Sequence, residues 1–448
     1  MRVAVVGGGI AGLAAAWDLR HVAEVTVFEP NRLGGSILTT EFEGRPVDEG
    51  ADAFLTRVPE AVQLCEELGL QDELVAPAVG ASALWANGGL QRLPEGLVLG
   101  APSDLGGLLQ SRILSPLGLA RAALDLVLPR RRPAAALSVR DLIADRFGAQ
   151  VADRLVDPLV GGIHAGWTGE LGAAEVTPQL VEATQRARSL LLGLRGTPKS
   201  GGGPVFLAPR PGVGRLVEAL VRSLSEAGVR FLTEAAQAVT TISSGRVVVE
   251  PNPEPFDAAV VATPARRTAE LLGPDAGVDA LVRVPTASVV LLTASFPQPL
   301  PPALNGFLVP RAERRLMTAC SFASNKWPHW SEPGRSVVRV SAGRHRDLRA
   351  LELDDDALAD RLLDELGQAL GVALSPTATR VSRWPDAFPQ YLPGHSALVA
   401  AVEQSVSQHH PRVALAGSTY RGSGIPACIA SGRRAARMAA LGSEVTAI

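Results

Sequence analysis

The first thirty residues constrain the fold of this chain more than any other stretch. Arg2-Val3-Ala4-Val5-Val6 is a short, β-branched, apolar run of the kind that forms a strand buried on both faces. It leads directly into Gly7-Gly8-Gly9-Ile10-Ala11-Gly12 and then into Leu13-Ala14-Ala15-Ala16-Trp17-Asp18-Leu19, an Ala/Leu-rich helix. A second strand, Glu24-Val25-Thr26-Val27-Phe28, ends at Glu29, 17 residues beyond Gly12. This is G-x-G-x-x-G with a strand before it, a helix after it and an acid at the end of the next strand. Gly7 permits the tight turn and Gly9 lets the backbone approach a pyrophosphate. Gly12 lets helix and strand pack closely, while the helix N-terminus supplies positive partial charge. Glu29 would accept hydrogen bonds from a ribose diol. A glycine-rich turn that holds no ligand is the alternative, and it leaves the strand, helix, strand and acid order without a reason.

Two further glycine-rich segments bear on which dinucleotide is bound. Pro30-Asn31-Arg32-Leu33-Gly34-Gly35-Ser36 places a glycine doublet just after the acid, where the chain can pass close to a cofactor; a plain turn uses the same residues. Near the other end, Val413-Ala414-Leu415-Ala416-Gly417 reads as a strand ending in glycine. After it come Ser418-Thr419-Tyr420-Arg421-Gly422-Ser423-Gly424-Ile425-Pro426 and a helix from Ala427. Strand, small-residue loop and helix again offer free N–H groups to an acceptor, the natural one being a flavin pyrimidine edge or ribityl oxygens. Together the three segments point to FAD rather than NAD.

With 448 residues the chain exceeds what one core accommodates, and two or three packed units are expected. Lys+Arg 43 against Asp+Glu 45 gives a net charge of −2, which carries no footprint for nucleic acid. Lysine occurs only at Lys199 and Lys326, so the positive charge is almost all arginine, the residue suited to carboxylate recognition. Cys65, Cys320 and Cys428 are odd in number and far apart, which excludes a disulfide framework or a C-x-x-C metal site and points to a reducing compartment. The N-terminus lacks the features of a signal peptide, and no run of 18 apolar residues occurs, so a cytoplasmic protein without membrane spans is expected.

Between the ends, residues 101–195 have a helical texture, with leucines at gaps suited to amphipathic helices and Ser138 as the N-cap of a helix from Val139 to Phe147. Arg130-Arg131-Arg132-Pro133 follows the leucine-rich part. That combination suits a segment lying on an anionic membrane surface, but more often belongs to a helical core with a solvated basic corner. Ser200-Gly201-Gly202-Gly203-Pro204 reads as a loop or hinge. Residues 280–400 are rich in β-runs crossed by one helix near 354–370, the pattern of an antiparallel sheet with helices on one side. His409-His410 precedes Pro411 in what reads as a polar loop.

Five blocks carry a family resemblance: Val47-Asp48-Glu49-Gly50-Ala51-Asp52-Ala53-Phe54, Asp157-Pro158-Leu159-Val160-Gly161-Gly162-Ile163-His164-Ala165-Gly166, Ser324-Asn325-Lys326-Trp327-Pro328-His329, Phe388-Pro389-Gln390-Tyr391-Leu392-Pro393-Gly394-His395, and Tyr420-Arg421-Gly422-Ser423-Gly424-Ile425-Pro426. Together with the N-terminal motif, the chain from about 2 to 438 resembles the protoporphyrinogen/coproporphyrinogen oxidase branch of the amine-oxidase-like flavoproteins. Ser36 departs from the arginine that amine oxidases usually carry after the glycine doublet, which argues against an amine oxidase. The resemblance implies an α/β fold, α+β overall: a discontinuous Rossmann-like FAD-binding domain (1–75, 200–270 and 411–448), a β-sheet substrate domain (76–100 and 271–410) and a helical domain (101–199).

It also implies site residues. FAD would be met by Gly7 to Gly12, Glu29, Pro30, Gly34, Gly35, Ser36, Gly50, Ala51, Asp52, Ala53, Gly417, Ser418, Ser423, Gly424 and Ile425, with Val239 facing the adenine through its backbone. Leu308 and Phe322 match positions on the substrate walls and also fit a sheet core, Arg92 lies beside a propionate-binding position and also fits a plain surface role, and Tyr391 is expected to line the cavity beneath the flavin. His395 is expected to border the site. The implied reaction is an FAD- and oxygen-dependent, six-electron oxidation of a porphyrinogen in heme biosynthesis. Coproporphyrinogen III, yielding coproporphyrin III, is favoured over protoporphyrinogen IX. Each two-electron step would release H₂O₂, with no catalytic side chain and no metal, because the flavin N5 accepts hydride. Implied partners are the porphyrinogen, O₂, a membrane surface touched peripherally and a downstream chelatase touched transiently. An amine oxidase, a phytoene-type desaturase and a non-enzymatic flavin- or NAD-binding module are the competing readings. A cavity beside the cofactor would tell an enzyme from a module.

Overall fold

Strands Arg2–Val6, Glu24–Phe28, Arg230–Leu232, Ala258–Val261 and Val413–Leu415 form one parallel sheet, ordered 230–232, 24–28, 2–6, 258–261, 413–415. Their β-branched side chains suit a sheet covered on both faces, and Val3 to Val6 are all buried. Helix Ile10–Leu19 covers one face, with Leu13 fully buried, so that Leu13→Ala would cost about 2–5 kcal/mol. The closing helix Ile425–Leu441 crosses it so tightly that a Cβ on Gly432 would lie 2.0 Å from the carbonyl oxygen of Ala11. Another core joins Phe28, Phe256, Val239, Val402 and Val406, with the rings of Phe28 and Phe256 edge-on at 5.9 Å.

These elements belong to the first of two compact units of a computed structural model that describes residues 1–78, 80–129, 136–195, 203–300 and 304–441. The first unit comprises Met1–Ala76, Pro204–Pro285 and Ser396–Ile448; the second comprises Pro77–Gly203 and Thr286–His395. The expected helical segment 101–199 thus shares a unit with the sheet. Arg130-Arg131-Arg132-Pro133 and residues 200–202 of the expected hinge lie outside the described residues.

What ties the returning segment of the first unit to its start is a polar clamp. Hairpin strands Thr39–Phe42 and Arg45–Asp48 bring Thr39 Oγ1 within 2.5 Å of Asp48 Oδ1. Asp48 is buried and accepts the N–H of Val213 at 3.0 Å, while Thr39 Oγ1 accepts the N–H of Gly214 at 2.8 Å across 175 residues. Helix Gly214–Glu226 has no cap from its own neighbours, so these two acceptors satisfy its first N–H groups and meet its positive end.

The second unit holds a seven-stranded sheet in the order 378–389, 286–296, 336–342, 317–321, 304–308, 81–86, 89–92. It is antiparallel except between Leu304–Leu308 and Ala81–Ala86, which run parallel. The strands within 280–400 pair antiparallel, as expected; strand 81–86 enters from ahead of the helical segment, and such a long crossover delivers a parallel neighbour. Helix Asp355–Leu370, capped by Asp354 through the N–H of Ala357 at 2.8 Å, lays Leu358, Leu362 and Leu366 on this sheet. The helical segment packs around Leu142, Phe147 and Leu155. Ser138 caps helix Val139–Phe147 as expected, accepting from the N–H of Asp141 at 3.1 Å. At its centre Asp125, fully buried, accepts from Arg146 Nε at 2.6 Å, Ser189 Oγ at 2.6 Å and the N–H of Leu191 at 2.9 Å.

The reading of His409-His410 as a polar loop is corrected. Helix His395–His409 runs to the first histidine, and His410 is half-buried with its ring 3.0 Å from Thr241 Oγ1. The apolar residues Val399, Val402 and Val406, spaced three and four apart, already carried that helix.

Candidate functional site

In the first unit the glycines build a slot at the start of helix Ile10–Leu19. Gly7 adopts φ +107°, and its N–H bonds to the carbonyl of Phe28 at 2.9 Å; any Cβ there would meet the Ala262 carbonyl oxygen at 2.6 Å. A Cβ on Gly12 would stand 1.9 Å from the carbonyl oxygen of Gly7. The doublet closes over the motif: the N–H of Gly34 bonds to the carbonyl of Gly8 at 2.8 Å, and Gly9 and Gly34 form a parallel bridge. Gly9 is different. A Cβ there meets nothing nearer than Gly35 Cα at 4.0 Å, so open space lies before it. No side chain caps the helix, which leaves its first N–H groups to an outside acceptor. An uncapped helix start, a glycine facing open space and glycines on either side fit a diphosphate.

Glu29 completes the slot in a way the motif alone did not indicate. Its Oε2 accepts the N–H of Gly8 at 2.8 Å and its Oε1 the N–H of Asn31 at 2.9 Å. A carboxylate has room for further bonds, so this anchoring role leaves capacity for a ribose hydroxyl. Arg32 wraps the doublet, donating to the carbonyls of Ile37 at 2.8 Å and Gly35 at 2.5 Å. Pro30 and Ser36 are exposed beside it, and Gly50, Ala51, Asp52 and Ala53 form a loop, half-buried apart from the exposed Ala51, after the hairpin. Val239 has its side chain fully buried with Phe28, so only its backbone is available to a ligand.

The closing motif lies in the same unit. Gly417 adopts φ +121°, with its N–H held by Ser431 Oγ at 3.0 Å, and Gly422 adopts φ +135°. Ser418 and Ser423 are half-buried, Gly424 is exposed and the buried Ile425 opens the closing helix. Cys428, on that helix, has its thiol pushed up to about 12 by burial, as Cys65 does, which marks both as packing residues.

In the second unit, the turn at Ala165-Gly166 gathers several of the singled-out residues. A π-helical stretch, Ala152–Gly161, contains Pro158 and delivers the turn; Pro158 lacks the N–H that a regular helix needs there. Buried Asp157 accepts the N–H of Thr168 at 3.0 Å and its hydroxyl at 2.6 Å. Ala165 adopts φ +45°, its carbonyl accepts the N–H of His345 at 2.7 Å, and the carbonyl of Gly166 accepts Arg311 Nη2 at 3.1 Å. Gln390 Nε2 donates to the carbonyl of His164 at 3.0 Å. Next to it, Tyr391 is buried with its ring stacked on His395 at 4.5 Å and 27°, and 6.3 Å from the ring of His164. Burial pushes His164 down to about 4, which keeps its imidazole neutral at ordinary pH.

The four residues matched to the substrate site, and His395 beside them, are placed unequally. Tyr391 and His395 are in this cluster, and Leu308 lies 3.7 Å from the Cβ position of Gly162 on the same block. Phe322 is buried in the sheet core against Phe307, at 6.2 Å between rings. Arg92 is exposed at the end of the edge strand Gly89–Arg92, registered against Ala83, which in turn opposes Phe307. The sequence reading missed Arg311, Arg344 and the clamp at Thr39 and Asp48; no local pattern marks them, because each meets partners brought from far along the chain. Among the described residues no group of His, Cys, Asp and Glu is arranged to hold a metal ion, and no helix is long and apolar enough to cross a membrane.

Comparison with known proteins agrees with this geometry. Residues 10–439 match the model of the flavin-containing amine oxidoreductase family. The chain is 30% identical to coproporphyrinogen III oxidase of Bacillus subtilis (strain 168), covering 97% of this chain and 96% of the relative. It is 35% identical to the Mycobacterium tuberculosis (strain ATCC 25618 / H37Rv) protein of the same name, covering 96% and 95%. Among solved structures, that of a protein provisionally named protoporphyrinogen oxidase from Exiguobacterium sp. 255-15 superposes with a TM-score of 0.90 at 30% identity, covering 99% of each chain.

Proposed function

The chain belongs to the flavin-containing amine oxidoreductase family, and we propose that within it the chain oxidises a porphyrinogen, coproporphyrinogen III in the first place, using FAD and dioxygen. The net reaction is the loss of six hydrogens from the macrocycle, with three O₂ reduced to three H₂O₂. The observation that carries this reading is likeness along nearly the whole length of two proteins named coproporphyrinogen III oxidase, at 30% and 35% identity. Protoporphyrinogen IX is the second reading, favoured by the name of the matching solved structure.

When bound, the flavin supplies the two-electron acceptor for a C–H bond of the substrate, so no protein nucleophile or metal is called for. The chain's own residues bind and orient. The slot before Gly9 and the uncapped helix start take the diphosphate, Glu29 takes a ribose hydroxyl, and the backbone of Val239 faces the adenine. The segment from Gly417 to Ile425 offers N–H groups to the flavin end. In the second unit Leu308 and Tyr391 offer apolar surface to a macrocycle, and neutral His164 adds no charge beside a ring that must lose protons. Ser36, unlike the arginine of amine oxidases, weighs against an amine substrate.

Cytoplasmic work at the inner face of a membrane, and a passing contact with a chelatase, belong to the same proposal. Leu109, Leu117 and Val127, exposed at 64%, 82% and 67%, are apolar side chains of the helical segment that support the membrane contact.

The test uses the purified protein. Its flavin is released and identified, and porphyrin fluorescence is followed from coproporphyrinogen III and protoporphyrinogen IX in parallel. FAD, with faster turnover of coproporphyrinogen III, is expected. A yellow protein that oxidises neither would sink the reading; a strong preference for protoporphyrinogen IX would overturn the substrate choice alone.

A further inference from the structure

Arg344 is a largely buried cation whose guanidinium makes no hydrogen bond among the described residues. Its side chain is 11% exposed, and among the described residues its ion pair is a 3.6 Å approach of Nε to Asp347 Oδ2. Asp347 is already committed, both its oxygens being held by Arg349 at 2.8 and 2.7 Å. Asp157, the other carboxylate that acts on Arg344, is held through Oδ1 by Thr168. Arg311 stands close enough to repel it, and in both guanidinium groups the buried Nε has no hydrogen-bond partner. Burial first, and then Arg311, makes the charged form of Arg344 harder to keep. Arg344 thus stands between two other cations, Arg311 and Arg349, and two carboxylates, Asp157 and Asp347, that already accept bonds from other donors.

Chains bury a guanidinium where something pairs with it, and an unpaired one is costly. Both arginines stand at the turn that gathers the candidate substrate residues, one by direct contact and one through its chain neighbour. Arg311 donates to the carbonyl of Gly166, and His345, next to Arg344, donates its N–H to the carbonyl of Ala165. Two planar guanidinium groups brought to one turn, with both Asp347 oxygens and Asp157 Oδ1 already held by other donors, suit a carboxylate arriving with a ligand.

We propose that Arg311 and Arg344 form a carboxylate-binding subsite that takes an acidic side arm of the substrate. This rests on the proposed function and deepens it. It places a cation pair beside the apolar Leu308 and the Gly161–Gly166 block.

The experiment compares binding of coproporphyrin III, which carries four carboxylates, with its tetramethyl ester, by fluorescence titration of the flavin-loaded protein. Arg344→Gln and Arg311→Gln are each expected to weaken coproporphyrin III by about tenfold or more while changing the ester by less than twofold. Flavin content and Tm are followed to report folding. Arg344→Lys, which keeps the charge without the fork, is expected to retain part of the affinity, and Arg311→Gln carries the test if Arg344→Gln does not fold. Both glutamine variants binding coproporphyrin III within twofold of the wild type, or losing acid and ester equally, would overturn the subsite. So would a wild-type protein that does not bind coproporphyrin III. If the wild type binds it through these arginines yet oxidises no porphyrinogen, the reaction fails and the subsite stands. Oxidation of coproporphyrinogen III with an unchanged KM in both variants gives the reverse.

Discussion

The carbonyl oxygen of Gly7 occupies the place next to Gly12 where a side chain would begin: a Cβ on Gly12 would lie 1.9 Å from it. Three residues away, Gly9 has φ −70° and ψ 173°, a backbone any residue adopts, and open space where its side chain would go. The same motif therefore holds glycines for two different reasons, and substitution separates them. Gly12→Ala must push the helix off its strand and is expected to cost about 1–3 kcal/mol of stability together with the flavin. Gly9→Ala is expected to keep the wild-type Tm within about a degree and to lose most of the bound flavin, because its methyl fills the slot. Thermal melts paired with flavin absorbance read both. A Gly9→Ala protein with full flavin content would move the diphosphate elsewhere.

Glu29 holds two backbone N–H groups, one from Gly8 and one from Asn31. Glu29→Gln keeps one acceptor and turns the other into a donor facing an N–H. The expected result is a flavin affinity lower by about tenfold, from one lost charge-assisted bond, measured by titrating the flavin-free protein. Unchanged affinity would show that the acid serves only the loop.

How much of this could be read from the chain follows from how local each part is. The slot is built within thirty residues by a strand, a turn and a helix whose side chains announce themselves, and so Gly7, Gly9, Gly12 and Glu29 were legible. The closing motif was legible for the same reason. Phe322 shows the limit: a phenylalanine on a β-run fits a cavity wall or a sheet core equally, and only the packing against Phe307 decides. Arg311 and Arg344 had no signal, because they meet at the Ala165–Gly166 turn only after the sheet and the helical segment have brought distant stretches together. The parallel pairing of strands 304–308 and 81–86 was hidden likewise, since period and composition do not encode direction.

The buried ion pair of Arg146 with Asp125 makes a prediction about stability alone. Asp125 is fully buried and carries three donors besides the guanidinium's second contact to its own carbonyl. Asp125→Asn leaves Arg146 without its carboxylate and is expected to cost about 3–5 kcal/mol, seen as a lower Tm in a melt. A variant as stable as the wild type would mean that Arg146 finds compensation in the carbonyls of Pro129 and Arg188, to which it also donates.

His164 predicts a pH dependence. Its folded value is about 4, below the ordinary histidine value of roughly 6.5 in the unfolded chain. Between those limits the unfolded chain binds the proton more readily, so the contribution is fully present above about pH 6.5 and is lost as pH falls toward about 4. The wild type is therefore expected to lose about 2 kcal/mol more than His164→Gln on going from pH 7 to 4.5, read from denaturant midpoints at each pH. Parallel curves for the two proteins would show that the imidazole is solvated.

The most direct measurement is stoichiometric. Purified flavoprotein is given coproporphyrinogen III in an oxygen electrode, with porphyrin fluorescence and H₂O₂ recorded in the same cuvette and spontaneous oxidation subtracted. The account predicts three O₂ consumed and three H₂O₂ formed for each coproporphyrin III. Porphyrin formation no faster than the spontaneous background, from a protein fully loaded with flavin, would contradict it.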